Sequence, residues 1–141
     1  MNTILIVDDS ALMRRLLRRM LEPRGYAVVD ASDGAGAQRG FASEHPDLVL
    51  LDLNLEAESG LDVLAQLRDL DSNVRVIIVT ADTEESTRIA IEQGGARLLL
   101  KPFEPATVAA AVAAALADPP RSYGSNPSNR QQGIAARIAS R

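Results

Sequence analysis

Three short apolar runs in this chain end on charge. ILIV (residues 4–7) runs into Asp8 and Asp9, LVLL (48–51) into Asp52, and LLL (98–100) into Lys101 and Pro102. Short aliphatic runs of this kind read as buried strands. Parallel strands lying side by side would carry three carboxylates and one ammonium to a common edge. Such a grouping suits a divalent cation and a phosphoryl group. It also restricts the chain to folds in which these strands are neighbours.

The stretches between the runs support that restriction. Strands are expected at 3–7, 26–30, 48–51, 74–79 and 98–100, and each is followed by a segment with helical spacing. Ser10 can cap a first helix reaching about Glu22, with Leu12, Leu16 and Met20 recurring every four residues and Pro23 and Gly25 ending it. Asp33 can cap a second, weakened by Gly34, Gly36 and Gly40. Ser59 can cap a third with Leu61, Leu64, Leu67 and Leu70 as its apolar stripe. Thr83 can open a fourth, closed by Gly94 and Gly95, and a fifth runs from Glu104 or Pro105 to Ala117. Five strands alternating with five helices predict an α/β fold: a doubly wound, five-stranded parallel sheet covered on both faces. In such sheets ligands bind beyond the carboxyl ends of the strands, where the charged islands lie.

Composition limits the rest. Aromatic residues make up only 3%, so aliphatic side chains must build the core, and the absence of cysteine removes disulfides and thiolate metal sites. The first apolar run is too short for a signal peptide and the Ala-rich stretch at 106–117 too short for a bilayer, so a cytoplasmic protein without membrane contact is expected. The net charge of −4 is uneven. Four arginines and one aspartate lie beyond residue 117 and leave the first part at −7, which argues against direct nucleic-acid binding there. Two units follow: a domain at 1–117, and a tail or linker at 118–141 whose Pro, Ser, Asn, Gln and Gly content predicts disorder.

Asp8, Asp9 and Asp52 would repel one another unless a hard cation such as Mg²⁺ lay among them. The cation would leave one carboxylate free to attack phosphorus. Lys101 would pair with that carboxylate or with the phosphoryl group as a point charge, and Thr80 offers a hydroxyl at the same rim. Singly these residues have plainer readings: Asp8, Asp9 and Ser10 as helix caps, Asp52 as a turn residue.

Taken jointly, ILIVDDS, LVLLDLNL with SGLDVL, VIIVTA and KPF resemble the receiver domain of two-component response regulators, over residues 2–117. The resemblance implies the flavodoxin-like receiver fold. It implies that Asp52 accepts a phosphoryl group from a histidine kinase or a histidine phosphotransfer protein. By the same resemblance Asp8, Asp9, Asp52 and the backbone carbonyl of Asn54 hold Mg²⁺, with Mn²⁺ as a substitute, Thr80 and Lys101 bind phosphoryl oxygens, and the bond before Pro102 is cis. Asn54 and Asp82 would flank the path of the water that removes the phosphoryl group. The domain would act as a signalling switch rather than an enzyme. It would signal to a downstream protein by a change at the face made by the fourth helix, fifth strand and fifth helix, and in its phosphorylated form could pair with a second copy.

The chain departs from the family pattern at two places. Leu98 stands where the fifth strand usually carries Tyr or Phe, so the aromatic element of the switch is missing. Glu56, Ala57 and Glu58 stand in the loop after Asp52 in place of a common Pro and are expected to add negative charge beside the site. Arg14, Arg15, Arg18 and Arg19 form a basic stripe on the first helix, either a solvated face or a docking surface. His45, the only histidine, is expected on a surface loop. Two rival readings remain at this level: a receiver-like binding module that is never phosphorylated, and a phosphohydrolase with an aspartyl nucleophile. The second lacks an Asp two residues after the nucleophile.

Overall fold

A computed structural model describes residues 1–119. The chain alternates strand and helix in the order β1 (Thr3–Val7), α1 (Ala11–Leu21), β2 (Ala27–Ala31), α2 (Gly34–Glu44), β3 (Leu48–Asp52), α3 (Gly60–Leu70), β4 (Val76–Thr80), α4 (Glu85–Gln93), β5 (Arg97–Leu100) and α5 (Pro105–Ala117), with a short 3₁₀ turn at Glu22–Arg24. All strand pairs are parallel and the sheet order is β2-β1-β3-β4-β5. The fold is the expected doubly wound α/β sheet. Strand order reverses between β1 and β3, which opens a crevice at their carboxyl ends.

Every residue of β3 and β4 is buried, as a central strand covered on both faces requires. Side-chain alternation divides the core in two. Leu5, Val7, Val49, Leu51, Val76 and Ile78 pack with Val63, Leu67 and Ile91 beneath α2, α3 and α4. Ile4, Ile6, Leu48, Leu50, Ile77 and Val79 pack with Leu17, Leu21, Val108 and Val112 beneath α1 and α5. In the Ala-rich α5, Val108, Val112 and Ala115 supply the buried stripe. The carbonyl and carboxylate of Asp118, just beyond it, are held by Arg75 and Arg97. Among the described residues no helix is long and apolar enough to cross a membrane. The expected tail lies almost wholly outside the described residues.

Several local expectations are corrected. In α1, Leu12 is 60% exposed and Leu16 40% exposed, while Leu17 and Leu21 are buried with Met13 and Met20 packed beside them. Two apolar rows share this helix, and docking on the sheet selects one. The arginine stripe also splits. Arg14 and Arg18 turn toward β2, where Arg14 approaches Asp30 and Arg18 reaches Val28 O, Glu22 and Asp30; Arg15 and Arg19 stay exposed. Leu70, at the end of the expected stripe of α3, is 50% exposed. β2 and β4 begin and end later than expected, and Thr80, expected at the end of the fourth strand, is the last residue of β4. His45, by contrast, is exposed on the loop after α2 as expected, where it forms the C-cap of that helix at a left-handed φ of 49°.

Candidate functional site

Each site residue stands at or just past the end of a strand. Asp8 and Asp9 follow β1, where Ser10 caps α1 by accepting from Met13 N. Asp52 is the last residue of β3 and Thr80 the last of β4. Val79 pairs with Asp52, so Thr80 lies one step further along the rim. Lys101 follows β5 and its N–H donates to Thr80 O at 2.8 Å. The Lys101–Pro102 peptide bond is cis.

The carboxylates of Asp8, Asp9 and Asp52 each offer an oxygen, and these atoms lie within 4.8 Å of one another. At that separation, in an effective dielectric of about 20, each pair of charges repels by roughly 3–4 kcal/mol before screening. Asp8 and Asp52 are buried, Asp9 exposed. Burial holds the Asp8 carboxyl above its ordinary range; the Ser10 N–H opposes the shift, the charge of Asp52 adds to it, Lys101 opposes it, and Asp9 adds to it. Lys101 Nζ stands 3.7 Å from Asp52 Oδ2. The other Asp52 oxygen, Oδ1, accepts from Asn54 N at 3.1 Å. Crowded hard oxygens, one of them on a buried acid whose charge is disfavoured, fit Mg²⁺ or Mn²⁺ and do not fit a soft metal.

The loop from Leu53 to Ser59 folds back tightly. Asn54 forms an antiparallel bridge with Ser59, and Gly60 N donates to Leu53 O at 2.6 Å. A Cβ on Gly60 would lie 2.4 Å from Asp52 O, so only glycine allows α3 to begin this close to the end of β3. Glu58, expected to add charge beside the site, instead accepts from Gly34 N at 2.7 Å and sits at the start of α2.

On the far side, Thr80 Oγ1 accepts from Asp82 N at 3.0 Å. The Asp82 carboxylate accepts from Glu84 N and the Thr87 hydroxyl, both at 2.8 Å. These bonds hold its carboxyl below the usual range, the Glu84 N–H contributing most. Asp82 thus organises the start of α4, which begins at Glu85 after a Glu84 N-cap, later than Thr83. Leu98 is partly buried against the core beneath α2, α3 and α4.

Three sets of contacts escaped the sequence reading. Arg14 donates to Asp8 O at 2.7 Å and so steadies the acidic turn. Thr87 fixes Asp82. Arg68, buried at the end of α3, donates to the carbonyls of Ser72, Val74, Gly94 and Gly95. Its only signal was a charge four residues after Leu64 on a buried helical face.

The comparisons agree with this geometry. The family model described as the response regulator receiver domain matches residues 4–113. The transcriptional regulatory protein KdpE of Mycobacterium tuberculosis is 42% identical over 104 residues, which are 73% of this chain and 46% of that protein. The chemotaxis protein CheY of Thermotoga maritima is 32% identical across 77% of this chain and 92% of its own length. A CheY-like response regulator receiver domain protein of Methanospirillum hungatei superposes with a TM-score of 0.77 at 25% identity, covering 82% of this chain and 94% of that one. The chain spans about half the length of the first of these relatives, 46%. With a family match across most of its length and the strand order that places the acidic residues at one edge, the chain belongs to the response regulator receiver domain family.

Proposed function

We propose that this domain is a switch set by phosphorylation of Asp52, with a histidine kinase or histidine phosphotransfer protein as donor. The observation that carries the reading is the meeting of three carboxylates within 4.8 Å, one of them 3.7 Å from Lys101. A carboxylate oxygen of Asp52 forms a bond to phosphorus as the donor's nitrogen–phosphorus bond breaks, and the imidazole leaves and takes up a proton from water. Mg²⁺ or Mn²⁺, held by Asp8, Asp9, Asp52 and the Asn54 carbonyl, would supply the charge that draws phosphoryl oxygens to a negative site. Lys101 pairs with a phosphoryl oxygen as a point charge and Thr80 donates its hydroxyl to another. Asn54 and Asp82 flank the path of the water that later cleaves the acyl phosphate.

Output is a change in the face made by α4, β5 and α5, offered to a downstream protein or to a second copy of the chain. Leu98 supplies no ring for that change. The hydrogen-bonded line from Thr80 through Asp82 to Thr87 offers a route to α4 instead: a Thr80 hydroxyl drawn toward a phosphoryl group gives up the Asp82 N–H.

Incubation with acetyl phosphate and Mg²⁺, followed by intact-mass measurement, tests the reading. One added phosphoryl group is expected, lost in Asp52→Asn and when the metal is chelated. No adduct on the wild-type protein favours the binding module that is never phosphorylated.

A further inference from the structure

We infer that Glu58 is a positioning residue for the metal site: its carboxylate latches the β3–α3 loop to the start of α2 and so fixes the two arms that would hold the cation at a set spacing. The inference rests on the metal reading above. One arm is the β1–α1 turn with Asp8 and Asp9; the other is the β3–α3 loop with Asn54. The β2–α2 junction ties them together. Asp8 N donates to Ala31 O at 3.1 Å on one side of it, and Gly34 N donates to Glu58 Oε2 at 2.7 Å on the other. Between these contacts the chain is short: Ala31 ends β2 and Gly34 opens α2. Glu58 immediately precedes Ser59, the residue bridged to Asn54, so a shift of Glu58 is transmitted to the Asn54 carbonyl.

The contact is built in from both partners. Gly34 is buried, and a Cβ there would meet the Glu58 carboxylate oxygens at 2.6 and 2.8 Å. Asp33 already accepts from Gly36 N, so Glu58 satisfies a separate donor of the first turn, where a negative charge is also favoured by the helix dipole. α2 carries Gly34, Gly36 and Gly40, residues of low helix propensity, so an acceptor supplied from outside the helix matters here. A second link, Gln38 Nε2 to Gln66 Oε1 at 2.8 Å, holds α2 against α3 further along, leaving the Glu58 contact to set the end nearest the site.

Titration calorimetry with Mg²⁺ alone, on the whole chain, tests the inference, with Tm read on the same samples. Glu58→Ala is expected to weaken Mg²⁺ binding about tenfold, the low end of the effect of removing a residue that orients a metal ligand. Glu58→Gln keeps an acceptor for Gly34 N and should stay within about twofold of wild type, since the acceptor and not the charge holds the loop. Gly34→Ala displaces the carboxylate from the opposite side and should match Glu58→Ala without lowering Tm, and the double variant should be no worse than either single one. Unchanged affinity in Glu58→Ala and Gly34→Ala overturns the inference while the metal reading stands. So does a Glu58→Gln variant as weak as Glu58→Ala beside a normal Gly34→Ala, because Glu58 would then act through charge alone. A wild-type protein without saturable Mg²⁺ binding overturns the metal reading first, and the inference with it.

Discussion

Lys101 Nζ faces Asp52 Oδ2 at 3.7 Å, across the end of the strand that lies between theirs. The ammonium is the positive charge paired with the carboxylate group at this edge, and by strand order it stands on the far side of Asp52 from Asp8 and Asp9. Lys101→Met should therefore lower the Tm of metal-free protein. The pair lies between the exposed and the buried limits, so a loss of about 1–2 kcal/mol is expected. The deficit should shrink when Mg²⁺ is added, because a cation then offsets the same charge. Calorimetric scans with and without Mg²⁺ check this; a deficit that does not respond to Mg²⁺ would mean that Lys101 stabilises through packing.

Asp8→Asn keeps an acceptor for the Ser10 N–H but removes one charge from the cluster. Metal-free protein should gain about 1 kcal/mol, or roughly 4 °C in Tm, and lose Mg²⁺ affinity. The pH dependence has a definite sign. Because the Asp8 carboxyl is raised above its unfolded value of 3.8, the folded state holds the proton more tightly. The cost of keeping Asp8 charged is full above its raised pKa and vanishes as the pH falls toward the unfolded value. The advantage of Asp8→Asn over wild type should narrow on acidification, followed by Tm against pH in the absence of metal.

Thr87→Val should loosen the start of α4. It removes the hydroxyl that donates to Asp82 Oδ2 and leaves the Glu84 N–H contact in place. Amide exchange at the first turn of α4 should become several-fold faster, while exchange in β1 and β3 stays unchanged. With the Asp82 carboxyl lowered, the protection it gives is present above the unfolded value of 3.8 and lost as the pH falls through its folded pKa. Equal exchange in variant and wild type would remove Thr87 from the line that leads away from Thr80.

Arg68 is a stability residue. Its guanidinium bonds carbonyls of the α3–β4 connection and of the turn that closes α4, at Gly94 and Gly95. Arg68→Met keeps most of the apolar stem and removes every donor. A loss of about 2 kcal/mol in denaturant unfolding is expected, since the buried Val74 carbonyl and three part-buried ones lose their partner. A loss below the range typical of surface substitutions, about 0.5 kcal/mol, would show that solvent reaches those carbonyls.

The order of the elements and the membership of the acidic edge were legible in the sequence; the ends of the strands were legible to within one or two residues. Aliphatic runs and helical spacing are local patterns, and charge placed after a buried strand is a local interruption of them. From these the sheet and the meeting of Asp8, Asp9, Asp52, Thr80 and Lys101 follow, because neighbouring parallel strands carry their ends to one side. What only the tertiary structure decided has no local pattern. α1 offers two apolar rows, and the sheet accepted Leu17 and Leu21 over Leu12 and Leu16. The arginines of the same helix split because β2 supplies acceptors on one side only. Glu58 reads as loose charge in the sequence, yet it meets a backbone N–H 24 residues away. A contact between a side chain and a distant peptide group depends on how two loops approach, and no periodicity records that approach.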